Sequence, residues 1–132
     1  MPEITNTNLT LTESGGVVTI DVEYDASCTA FESELVGLGL RYHTHVAIVD
    51  WDGVSNPAAT LVEFPRHTIP FVAGGGAQTL RNHVETQDFL RAELKGDPVN
   101  NDDELKAHIK VHAPALVEFT PVVETDEEVL AD

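Results

Sequence analysis

The sequence predicts an all-β protein: a single β-sandwich of about seven or eight strands, with one short connecting helix near residues 86–95. Three observations carry that prediction. From Leu38 to Asp52 apolar and polar side chains alternate with a period of two, the mark of a strand with one buried face. The same pattern returns from Leu105 to Ala113. Turn-forming groups (Gly15-Gly16, Asp52-Gly53 and Gly74-Gly75-Gly76) punctuate the chain between such stretches.

In chain order, Leu9-Thr10-Leu11-Thr12 alternates and leads into the turn Glu13-Ser14-Gly15-Gly16. Val17 to Tyr24 follows with Val18, Ile20, Val22 and Tyr24 inward, so the two strands read as a hairpin. Residues 1–8 read as a loose N-terminal stretch. From Asp25 to Gly37 the alternation lapses, and Phe31, Leu35 and Val36 are spaced like a helical turn. Cys28 has no partner cysteine and reads as a buried structural thiol. The central strand then places Leu38, Leu40, Tyr42, Thr44, Val46 and Ile48 on one face, with Arg41, His43, His45, Ala47, Val49 and Trp51 on the other.

Ala59 to Phe64 is a further strand, and Pro65 and Pro70 bracket an edge segment, because proline donates no ladder hydrogen bond. Ala77 to Val84 is a strand. Thr86 to Lys95 reads as the helix: Thr86 can cap it, Asp88 suits its first turn, and Gly96 and Pro98 end it. Leu105 to Ala113 turns Leu105, Ala107, Ile109, Val111 and Ala113 one way and Lys106, His108, Lys110 and His112 the other. Leu116 to Val123 is the last strand, and residues 124–132 form an acidic, frayed tail. One domain over 1–132, without internal repeats, is the expected organisation. The sandwich is of immunoglobulin-like or jelly-roll type, without the Cys…Trp…Cys spacing of antibody domains.

Charge narrows the function. Against 23 Asp and Glu stand 7 Lys and Arg, a formal net charge of −16. A small body so charged repels itself in dilute buffer; in molar salt the Debye length falls to about 3 Å and that repulsion fades. The acids are spread along the chain, which points to a halophilic source. So few cations leave little to displace counterions, so direct nucleic-acid binding is not expected. Membrane insertion is not expected either, since no apolar run approaches the length of a span. The first residues lack the basic and apolar regions of a signal peptide. Cytoplasmic synthesis is expected, compatible with incorporation into a particle released by lysis.

Two groups of residues suggest ligand chemistry. His43 and His45 share one strand face, and His108 and His112 share another. Neutral imidazoles ligate Zn or Cu, so two neighbouring strands could complete a tetrahedral site. The competing reading makes these histidines the polar side of half-buried strands. Asp50-Trp51-Asp52-Gly53 and the run from Asp97 to Glu104 hold closely spaced oxygens of the kind Ca²⁺ takes, though neither fits the EF-hand pattern. Trp51 could stack on a sugar, but no aromatic strip accompanies it. GxSxG, HExxH and phosphate-loop signatures are absent.

The expectation is therefore a non-enzymatic structural or interaction protein. It would be a repeated subunit of a virion, phage-like tail or surface structure, with self-association or other protein subunits as partners. The alternative is a small metal- or ligand-binding module built on the histidine cluster. The charge reading generates a direct prediction. The denaturation midpoint should climb steeply with KCl well beyond physiological salt, and a midpoint flat from low to molar KCl would refute a halophilic origin.

Overall fold

Alternating buried and exposed side chains build two antiparallel sheets that share one core. The computed structural model describes residues 1–50, 59–94, 103–113 and 123–130. β1 (Glu3–Ser14) and β2 (Val17–Cys28) form a hairpin. Gly15 and Gly16 close it at φ of 61° and 80°, a conformation that glycine adopts without steric cost. On β2, Val18, Ile20, Val22 and Tyr24 are fully buried, as their alternation predicts, and Cys28 is buried as well.

Thr29 then starts α1 (Ala30–Gly37). Its hydroxyl accepts from the Glu32 N–H at 3.1 Å, and the Glu32 carboxylate accepts from the Thr29 N–H at 2.8 Å. This reciprocal capping box fixes the first turn. The remaining elements are β3 (His43–Asp50), β4 (Ala59–Glu63), β5 (His67–Thr68), β6 (Gln78–Leu90), α2 (Arg91–Leu94), β7 (Asp103–His112), β8 (Val123–Glu124) and β9 (Glu128–Leu130).

One sheet has the order β1-β2-β6. The other runs β4-β3-β7-β8, with β5 also beside β3 and β9 also beside β7. Every pairing among the described residues is antiparallel. The core joins Val18, Ile20 and Val22 of the first sheet to Val46, Ile48, Leu105 and Ile109 of the second. The protein is an all-β sandwich.

Local expectations needed correction in three places. β3 begins at His43; Leu38, read as inward-facing on a strand, instead caps the end of α1 and is 84% exposed. The helix expected over Thr86–Lys95 shrinks to α2, because β6 continues to Leu90. There the Thr86 hydroxyl donates to Asp21 and the Thr19 hydroxyl donates to Asp88, each at 2.6 Å. Cross-strand pairing uses the very residues that resembled a helix cap, and the sheet wins because it also buries Phe89 against Phe64. Both ends hold ladder positions: β1 starts at Glu3, inside the stretch read as loose, and β8 and β9 pair with β7 inside the stretch read as frayed. Of the strand expected over Leu116–Val123, residues 116–122 lie outside the described residues.

Two β-bulges flank the middle of β2. On β1, Asn6 and Thr7 lie opposite Tyr24; on β6, Arg81 and Asn82 lie opposite Asp25. Asn6 and Asn82 carry φ of 52° and 53°, a region asparagine enters more readily than most residues. The Asp25 carboxylate serves both bulges, accepting from Asn6 Nδ2 at 2.8 Å and from the Asn82 N–H at 2.9 Å. Those bonds hold its pKa below the usual carboxylate value.

Truncation of the fully buried Ile109 to alanine removes core volume between the sheets. It should cost about 2–5 kcal/mol in urea denaturation, as large-to-small core changes do. A loss within error of zero would mean that the two sheets do not share this core.

Candidate functional site

The four histidines singled out in the sequence all lie on the outer face of the β3–β7 pair. Register places His43 opposite His112, His45 opposite Lys110, and Ala47 opposite His108. The His45 and His112 rings approach to 5.6 Å between centroids. His43 Nδ1 shares a 2.9 Å hydrogen bond with the Thr68 hydroxyl. His108 is displaced toward β8, where its Nε2 lies 2.8 Å from the Glu124 carboxylate, which also meets the Lys106 ammonium at 3.6 Å.

His43, His45 and His112 thus form one group and His108 another. Among the described residues, no three His, Cys, Asp or Glu side chains converge in a metal-holding arrangement. Burial lowers the pKa of His43 and His45, and neighbouring positive groups lower it further. For His45 these are His112, Arg66 and Lys110, opposed by Glu63.

Ala47 interrupts this face. It stands in a row across three strands, between Glu63 of β4 and His108 of β7. Its side chain ends at Cβ, and a cavity of about 330 Å³ opens there. His45, Thr60, Glu63, His108 and Lys110 supply its polar walls. Volumes of this order accommodate small organic ligands.

A second constellation lies between the sheets and was not found from the sequence. Tyr24 and Thr44 both donate to one oxygen of the buried Glu85, each at 2.6 Å. Burial and the Glu85 charge raise the Tyr24 phenol pKa far above its ordinary value, which keeps it a donor. Beside them His67 Nε2 meets His83 Nε2 at 2.7 Å, one ring donating the proton that the other accepts. His83 also packs edge-on against Tyr24 at 5.4 Å. His67 belongs to β5 and His83 to β6, so this contact joins the two sheets at their edge. A cleft of about 220 Å³ lies alongside, lined by Arg66, His67, Glu85 and Gln87.

The alternation that reveals a strand face could have located Glu85 and His83 only with the Asn82 bulge known. Trp51 and Asp52 to Gly53, and positions 97–102 of the second acidic run, lie outside the described residues. No protein-family model and no curated protein sequence matches the chain.

The lowered pKa values set the pH response. His43, His45 and His83 protonate less readily in the folded chain than at the ordinary value of 6.5. The unfolded chain therefore takes up protons first as pH falls. Their contribution to stability is complete above 6.5 and is lost as pH drops through the lowered folded values. The thermal midpoint should fall over this window while carboxylates are still ionised, down to about pH 4.5. His83→Gln should flatten part of the slope; an unchanged slope would remove His83 from the account.

Proposed function

We propose that the protein is a non-enzymatic interaction subunit of a larger assembly, of virion, phage-like tail or surface-structure type, from a halophilic source. One observation carries this reading. β6 is a 13-residue strand at the end of its sheet, bonded to β2 on one side. Among the described residues no strand pairs with its other side. A long open edge presents backbone donors and acceptors that another chain can extend. Arg81 and the Asn82 bulge guard the first half of β6, whereas Val84 and Leu90 are exposed in the second. Phe31, Leu38 and Val72 add exposed apolar surface around α1.

A second reading, a ligand-binding module on the histidine face, is favoured by the cavity at Ala47. Its Zn or Cu version is tested by metal content after tag-free purification, together with the thermal shift on adding either metal. No stoichiometric metal and no shift would eliminate that version.

Sedimentation velocity of the untagged protein in molar KCl, over a wide concentration range, tests the assembly reading. Discrete species larger than 14.3 kDa are expected, and Val84→Lys should return them to monomer by placing a charge at the open edge. A monomer at every concentration would overturn self-association, and larger species unaffected by Val84→Lys would overturn the role of β6.

A further inference from the structure

We infer that the cavity over Ala47 is a binding site for a small organic carboxylate, anchored by Lys110 and seated over Ala47. The inference rests on the ligand-module reading above and names its ligand class.

Placement of the cations is the first argument. The chain has 7 Lys and Arg against 23 Asp and Glu, so an uncompensated cation is unusual. Arg41 donates to the carbonyls of Val36 and Leu40. Arg81 faces Asp25, Arg91 pairs with Glu13, and Lys106 with Glu124. Among the described residues Lys110 and Arg66 form no ion pair, and both lie close enough to His45 to lower its pKa. On the same face Glu124 is taken up by His108 and Lys106. Among the described residues of the cavity wall Glu63 is the one carboxylate.

Shape is the second argument. The Glu63–Ala47–His108 row leaves a gap of about 330 Å³ over the smallest side chain. A bare inorganic anion would leave most of that gap unfilled. A carboxylate with an apolar body pairs with the Lys110 ammonium in a charge-assisted hydrogen bond while its body covers Ala47. Glu63 limits the site to a singly charged acid, since a second carboxylate in so small a space would face it. The same lysine also disfavours a metal cation here.

Amide NMR titration of the intact chain, with benzoate, benzamide and inorganic phosphate as probes, tests the inference. Benzoate should shift the amides around His45, Ala47, Thr60 and Lys110, with benzamide and phosphate far weaker. Lys110→Gln should weaken benzoate by about tenfold, in line with loss of a hydrogen bond to a charged group. Glu63→Gln should tighten it. Ala47→Leu, which fills the cavity from the outer face of β3, should abolish it while the spectrum stays dispersed. If Ala47→Leu fails to fold, the exposed Lys110→Gln still decides.

Equal shifts by benzamide and benzoate at these amides would overturn the carboxylate class and leave the cavity as a ligand site. Equal binding of phosphate would overturn the organic component. Benzoate affinity unchanged in Lys110→Gln would overturn the anchor. Silence of all three probes at these amides would overturn both the inference and the cavity at Ala47 as an organic-ligand site, leaving the metal version to its own test.

Discussion

Asp25 accepts a hydrogen bond from each neighbouring strand at the level where both strands carry an extra residue. A strand turns successive side chains to opposite faces, so residues an odd number of positions apart cannot both face the core in a regular ladder. Ile4 and Leu9 of β1 both enter the core, five positions apart. Leu80 and His83 of β6 lie three apart, yet both pair with inward-facing residues of β2, Ala26 and Tyr24. The bulges at Asn6 and Asn82 make this possible, and the Asp25 carboxylate takes up the Asn82 N–H that the interrupted ladder leaves over, together with the Asn6 side-chain amide. Everything that β6 presents to the opposite sheet follows from that change of phase.

What β6 presents is mixed. Phe89 packs on Phe64 and extends the apolar core, whereas Glu85 and His83 bring polar groups inside. A buried carboxylate is tolerable only when its lone pairs are occupied. Tyr24 from the same sheet and Thr44 from the opposite one occupy one oxygen of Glu85, and the His67–His83 contact closes the edge beside them. This side of the sandwich is therefore held by directional bonds as well as by apolar burial. Directional bonds fix the offset between sheets more tightly than aliphatic contacts, because they fail at small displacements.

Surface chemistry is divided in the same way. The chain carries 23 Asp and Glu against 7 Lys and Arg. The outer face of β3 and β7 departs from that balance, gathering Lys106, Lys110 and four of the six histidines. The β6 edge, with which no described strand pairs, and the cavity at Ala47 lie in different sheets.

The sequence by itself determined the sandwich, the β1–β2 hairpin, the two long alternating strands β3 and β7, and the burial of Cys28. The strands and the hairpin depend on local periodicity or on a glycine turn, since periodicity of apolar side chains reports which face meets a core; the Cys28 reading rests on the absence of a partner cysteine. It also brought the four histidines to attention, because residues two apart on a strand share a face. Tertiary structure alone decided that three of them group while His108 turns to Glu124, since that depends on the β3–β7 register and on β8. It likewise decided that Thr86 to Leu90 extend a strand. Their cap-like residues met partners on β2 some sixty-five positions away, and local propensity yields to such cross-strand pairing. The Tyr24–Thr44–Glu85 cluster and the His67–His83 contact were hidden for a related reason: one inserted residue reverses the face of every side chain beyond it, and only the paired strand shows where the insertion falls.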